Sequence, residues 1–572
     1  MKMRIATIAL LLVGGCVGAG KIDPNLLNRY QYKLACNSPQ PRGGTRSIGL
    51  LQPSQELGPR LRISGDERKQ VELDVNEAVM LAVANNLDVR VLSFDPEIAR
   101  QEMIQAAAQF DYTVFGGYTF SREETPGSLL QAAGQAKRHT FDAGVRQLTP
   151  LGGTWAIRGA LSRIWDNRTF GASPVTYEST IALEVAQPLL RDAGPTFNLA
   201  RLRIARVSRR ISEEEFRRVL EDAITQTINE YWSLWLAREN LALEEQLLRW
   251  RRDTYERVWE RREIDAGAAQ INQALAAVAA SEVAVIRARK NVVDVQERLV
   301  RLLADQRINL VDDLVIIPTT PPATAPVVVD VNDQLIAAME HNPLLEQARL
   351  NIQVADINVQ VAINQALPQL DLQGQVGYQG FGGTTGRAID NLSDQLSYTL
   401  ALAMEYPLGN RERLAELTRR RLLRDRTITE LQRAAEQVAV DVKERAREIE
   451  LNYKEIEGQR RVVEARRAEL EALEAIEQIQ GRLTPEFLQL KLNSQVQTAL
   501  ARLQELTAVR DYNVSMAQLA RNTGTILRQY SLDLAITPVL DQLPCPPSSV
   551  QPELVDAPEA VGKPTMRSMA TD

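Results

Sequence analysis

Histidine, cysteine and aromatic residues are scarce in this chain of 572 residues, and each shortage removes a class of function. The two histidines, His139 and His341, have no partner at ligand or triad spacing. The sequence also carries no phosphate loop, zinc signature or nucleophile elbow, so neither catalysis nor a cofactor nor a bound metal is expected. Aromatics make up 5%, too few for a dense mixed core, and the abundance of Ala, Leu, Glu, Arg and Gln favours long helices. A net charge of −6 gives no general affinity for nucleic acid. No unbroken run of eighteen apolar residues occurs, which argues against a membrane-spanning helix.

The chain begins with an export pattern. Lys2 and Arg4 precede the apolar stretch Ile5 to Val13 and then Gly14-Gly15-Cys16, which reads as a signal peptide over residues 1–15. Val13-Gly14-Gly15-Cys16 resembles a bacterial lipobox, so Cys16 is the expected lipidation site; ordinary cleavage after Val17-Gly18-Ala19 is the alternative. Residues 16–70 read as a lipid-anchored linker, and 528–572 as a Pro-rich, disordered tail. Cys36 and Cys545 lie in these terminal segments; after export to an oxidising compartment they either pair or stay free, and the sequence leaves both open.

Between the termini the chain repeats itself. Asn76-Glu77-Ala78-Val79 through Asn85-Asn86 returns as Asn332-Asp333-Gln334-Leu335 through His341-Asn342-Pro343, and later Gly117-Tyr118 meets Gly377-Tyr378. Such duplication defines the architectural unit: helix, strands, very long helix, tight turn, helix. The two units span residues 71–320 and 321–527, divided by the Pro-rich stretch 305–330.

The strand windows alternate in polarity. Tyr177, Ile181, Leu183 and Val185 face away from Glu178, Thr180, Ala182, Glu184 and Ala186. Leu396, Tyr398, Leu400, Leu402, Met404 and Tyr406 oppose Ser397, Thr399, Ala401, Ala403 and Glu405. The windows around 112–120 and 370–379 follow the same rule. Period two with one polar face means half-buried strands. Segment length, aromatics near segment ends and the export signal favour a lipid-facing barrel over a soluble sandwich. An extra candidate hairpin, Thr140–Thr149 with Gly152–Asp166, either lengthens the rim or adds strands.

Two helices are expected over 198–266 and 411–480. Each carries an apolar residue every seventh position: Leu220, Leu234, Leu241, Leu248 and Tyr255, then Val442, Ile449, Ile456, Val463 and Leu470. That spacing specifies coiled-coil packing with a narrow seam, which suits a helical wall around a water-filled lumen. Four to six strands cannot close a membrane barrel alone, because small closed barrels need about eight. Unpaired edge groups in hydrocarbon cost several kcal/mol each, so copies of the chain must share one barrel.

The order, spacing and duplication of these motifs resemble the TolC-type outer-membrane efflux proteins across residues 71–527. The matching features are the helix openings at Asn85-Asn86 and Asn342-Pro343, and the strand exits Gln187-Pro188-Leu189-Leu190 and Tyr406-Pro407-Leu408-Gly409-Asn410-Arg411. The turn Gly481-Arg482-Leu483-Thr484 and the stretch Arg510-Asp511-Tyr512-Asn513 complete the match. The resemblance implies an α+β membrane protein: a homotrimer whose twelve-stranded outer-membrane β-barrel continues into a long periplasmic α-helical coiled-coil barrel. It further implies a periplasmic adaptor and an inner-membrane pump as partners, and a passive exit duct for efflux or type I secretion. The adaptor-contacting tips would be the turns at Ala266 and Gly267 and at Gly481, Leu483 and Thr484, where glycine admits positive φ. The sequence departs from the family at Phe487 and Leu490, where entrance aspartates are often found. Arginines crowd each strand exit (Arg201 to Arg210, then Arg411 to Arg424) as a solvated helix face or an interfacial anchor. A periplasmic adaptor or a structural coiled-coil lipoprotein would share the seven-residue stripes, but not the paired strand windows.

Overall fold

The computed structural model describes residues 60–63, 69–125, 134–167, 174–264, 266–305, 314–393, 395–480, 484–530 and 532. Cys16, Cys36, Cys545, Gly481 and Leu483 lie outside them. The elements run β1 (Arg60–Ile63), β2 (Lys69–Leu73), α1 (Val75–Asn85), α2 (Leu87–Leu92), α3 (Asp95–Ala107), β3 (Thr113–Thr125), β4 (Gly134–Leu148), β5 (Thr154–Asp166) and β6 (Val175–Pro188). Next come α4 (Pro195–Asn198), α5 (Ala200–Glu260), α6 (Ala268–Leu303), β7 (Leu314–Pro318), α7 (Val331–His341) and α8 (Pro343–Gln365). The chain continues as β8 (Gln369–Gly382), α9 (Thr385–Asp390), β9 (Gln395–Glu405), α10 (Arg411–Gln480), α11 (Pro485–Asn522) and α12 (Ile526–Gln529).

The helices start where the sequence supplies caps. Asp74 and Glu77 form a reciprocal capping box on α1, and Asp330 accepts from the backbone of Asn332 and Asp333 to open α7. The helix α10 runs the expected 70 residues, whereas α5 runs 61, because Arg261–Glu263 tightens into a 3-10 turn before the tip. Leu220, Thr227 and Leu234 are buried, as are Val442, Ile449, Ile456 and Leu470. Farther along α5, Leu241, Leu248 and Tyr255 are only half-buried. An α-helix drifts by about 20° per seven residues, so a seam read as a strict repeat leaves the contact line unless the helix supercoils. The seam from α10 meets Ala508, Val509, Tyr512 and Leu519 of α11 in the main helical core.

By length and composition α6 is apolar enough to cross a membrane. Its apolar residues do not form an unbroken run, because Gln270, Asn272, Gln273, Ser281 and Glu282 interrupt the Ala and Val. It packs along α5.

Two sheets form. The larger is antiparallel and six-stranded, in the order β3-β4-β5-β6-β8-β9, and it is open, with β3 and β9 as its edges. The extra hairpin adds strands instead of lengthening a rim: β4 pairs with β3 from Thr113↔Arg146 to Thr125↔Gly134, and β5 pairs with β6 from Thr154↔Ala186 to Trp165↔Val175. Six strands per chain replace the four implied by a twelve-stranded trimer. The smaller sheet, β1-β2-β7, was not expected. It pairs β2 in parallel with β7, drawing the start of the first repeat against the inter-repeat segment.

Two fully buried tyrosines fix that segment. The Tyr231 hydroxyl donates to Leu73 O at 3.0 Å and accepts from Thr320 N at 3.1 Å. The Tyr512 hydroxyl donates to Ala325 O at 2.8 Å and accepts from Val327 N at 3.1 Å. The Pro-rich stretch between the repeats is thus bound to both sets of helices.

Candidate functional site

The six-stranded sheet has two chemically distinct faces. Register places Val114, Val145, Ile157, Leu183, Val376 and Tyr398 in one row across all six strands. The rows beside it carry Tyr118, Phe141, Ile181, Tyr378 and Leu396, then Leu400, Leu402 and Met404. All of these side chains but the half-buried Val145 are exposed: Val114 at 77%, Tyr398 at 79% and Leu400 at 76%. An apolar patch this continuous is not left to water in a soluble protein. Aromatics bracket it on β5 with Trp155 at one end and Trp165 at the other. At about 3.3 Å per residue and a tilt of about 40° they stand about 25 Å apart, the height of a lipid-facing band.

The opposite face is polar. The Arg138 guanidinium lies 3.2 Å from Glu178, Arg158 lies 3.5 Å from Asp142, and Thr140 hydrogen-bonds Ser162 at 3.0 Å. Arg146 sits over the Phe115 ring at 5.9 Å. Gln373, Gln375, Thr399 and Ala401 complete a wall suited to water.

At one end of the sheet the connection between β8 and β9 folds back as α9 onto the apolar face. Ala388 is fully buried there, and its carbonyl accepts from the Ser179 hydroxyl. At the other end each strand exit turns sharply into a helix. Gly409 has φ +94° and Asn410 φ +41°, a left-handed pair that a residue other than glycine at 409 would strain. The Asn410 amide donates to Ala366 O at 2.9 Å, tying the exit to the end of α8.

The far ends of the long helices form the tips. Ala266 is buried with Val258, Ala274, Leu488 and Leu492, so the turn after α5 packs on the start of α11. Gly267 has φ −77°, which corrects the expectation of a positive angle; its N–H donates to the Gln270 side chain at 2.7 Å. Thr484 accepts from the Phe487 backbone and caps α11, with Pro485 following in the first turn. Phe487 packs against the tip core. Behind the tip, Glu477 on α10 bridges Arg257 on α5 at 3.3 Å and the fully buried Lys491 on α11. Gln495 adds a bond to Thr254 at 3.1 Å.

Several arginines at the strand exits pair with acidic side chains on the same helix. Arg419 and Arg420 share Glu416, which they hold at about 2, and Arg209 binds Glu213 at 2.9 Å.

Sequence reasoning missed the flanks. The helices pack in the order α6-α5-α11-α10, leaving α6 and α10 outermost. Both carry exposed apolar side chains: Leu275, Val283, Ile286 and Val293 on α6, and Val440, Leu451 and Val462 on α10. The signal was present as the spacing of eleven from Val440 to Leu451 to Val462, three helical turns that keep one straight stripe.

No protein-family model matches the chain, and no curated protein matches it by sequence. Solved structures do match in fold. The outer-membrane channel OprN superposes with a TM-score of 0.61 at 15% identity, over 79% of this chain and 90% of its own. CusC, described with its folding and transmembrane channel formation, gives 0.59 at 14% identity, over 82% and 97%. The CmeC outer-membrane channel of Campylobacter jejuni gives 0.57 at 15% identity, over 81% and 90%.

Proposed function

We propose that this chain, which has the fold of the TolC-type outer-membrane channels, is one subunit of an outer-membrane exit duct. It serves a tripartite efflux or type I secretion system as a passive conduit from periplasm to exterior. One observation carries the reading: an open sheet with an exposed apolar face, a polar back and two unpaired edges continues into long helices whose flanks are also apolar.

The edges recur at every level. The strands end in β3 and β9, the helices beside the sheet in α3 and α10, and the distal helices in α6 and α10. A different surface on each flank is the condition for a head-to-tail ring, which closes all three seams at once. We take the ring to be a homotrimer, with a membrane-embedded β-barrel and a periplasmic helical barrel. Nothing in such a duct supplies energy, so an inner-membrane pump and a periplasmic adaptor would do so. The adaptor would meet the tips at Ala266, Gly267, Gly481, Leu483 and Thr484. Lipid on Cys16 would tether the export side, and Cys16→Ser should abolish palmitate incorporation. The experiment for the channel itself is planar-bilayer recording of the purified protein. Stable conductance steps are expected; a lipid-indifferent monomer with no conductance would refute the duct.

A further inference from the structure

The hairpin β4–β5 has no helix of its own, and this sets the width of the wall. Four helices lie side by side beside the sheet in the order α3-α5-α8-α10. Each continues one strand: α3 leads to β3, α5 follows β6, α8 leads to β8 and α10 follows β9. Strands and helices therefore share one lateral order, with β4 and β5 inserted between the first two members.

The widths decide what the insertion does. Four helices at 8–10 Å spacing occupy about 32–40 Å of circumference. Four strands about 4.8 Å apart and tilted about 40° would cover about 25 Å; six cover about 38 Å. At this tilt the six-stranded sheet is as broad as the helical layer that carries it. The inserted pair also keeps the faces in phase: Val114 reaches Leu183 through Val145 and Ile157, all on the apolar side.

We infer that three copies close an eighteen-stranded barrel, so that the duct continues through the membrane at the full bore of its helical part. The inference rests on the channel reading above. Eighteen strands give a backbone diameter of about 36 Å, against about 24 Å for twelve, and after side chains line the wall the open cross-section is about threefold larger. Such a bore fits bulky cargo, a polypeptide or an assembled macromolecule, as well as small solutes.

Electron cryomicroscopy of the full-length protein in lipid nanodiscs counts the strands directly. A continuous wall of eighteen, with β3 of one copy paired to β9 of the next, is the expected result. A conducting ring of twelve strands, with residues 134–166 folded off the wall, would overturn this inference and leave the duct intact. Failure to form any ring would overturn both. Excision of 134–166 rejoins β3 to β6 with faces matched, and single-channel conductance should fall about threefold as the ring narrows to twelve strands. Unchanged conductance in a folded deletion trimer would also refute it.

Discussion

Asn86 and Asn342 do the same two jobs at equivalent points of the two repeats. Asn86 Oδ1 caps α2 by accepting from Asp88 N at 2.8 Å, while its amide donates to Leu302 O, at the end of α6, at 3.1 Å. Asn342 Oδ1 caps α8 through Leu344 N at 2.9 Å, while its amide donates to Asn522 O, at the end of α11, at 2.8 Å. Each asparagine joins the opening of its repeat to the end of that repeat's return helix. Only an amide offers both an acceptor and a donor in that geometry. Asn86→Ala or Asn342→Ala should each cost about 2–4 kcal/mol by thermal unfolding, the sum of a lost cap and an orphaned carbonyl. Asn342→Asp should recover the cap alone, and full recovery would show that the second bond is idle.

Close by, Arg217 on α5 donates to His341 O at 3.0 Å and Gly524 O at 2.9 Å, and its Nε reaches Glu221 at 3.1 Å. Gly524 has φ +69°, and a Cβ there would meet His341 O at 2.4 Å. Burial pushes the Glu221 carboxyl up to about 7 against the pull of Arg217. A raised folded value means that the neutral form favours the fold. The benefit is complete below the ordinary 4.5 and is lost as pH rises through about 7. Unfolding midpoints should therefore rise between pH 7.5 and pH 5, by up to about 3 kcal/mol of stability. Glu221→Gln should flatten the profile; a parallel slope in that variant would exclude this carboxyl as the source.

At the tip, Lys491 is a buried cation held by Glu477, which also takes Arg257. Removing one partner leaves a charge without compensation. Glu477→Leu should destabilise the hairpin pair by about 3–5 kcal/mol, and Glu477→Leu with Lys491→Met by much less. Hydrogen exchange at Leu488 and Leu492 reads the difference, and equal protection in the single and double variants would contradict it.

The flank stripes make a different prediction. Ile286 is 66% exposed and Leu451 63% exposed in the single chain, so a charge at either site should change chain stability by no more than about 0.5 kcal/mol. In the proposed ring they would lie in a seam. Ile286→Lys or Leu451→Lys should shift sedimentation in detergent from trimer toward monomer with helicity unchanged. A trimer of undiminished stability would place the seam elsewhere.

The duplication, the strand windows and the span of α10 were legible in the sequence, because period two and period seven are local rules that survive without knowledge of neighbours. Asn86 and Asn342 were visible as matched positions, though not as bonds, since their partners lie 216 and 180 residues away. Gly267 was misread because a glycine in a turn suggests a positive φ, whereas here it only starts a helix. Nothing in the local sequence marks Lys491 as buried, because its partner Glu477 lies on a different helix.

The sequence by itself determined which face of each long strand is apolar and which is polar, since that choice depends on alternation along one segment. Only the tertiary structure decided that the hairpin 134–166 enters the sheet between β3 and β6, and that the chain ends in open flanks at every level. Strand pairing and helix order are contacts between segments far apart in the chain, and a residue's own polarity says nothing about which distant segment it will meet.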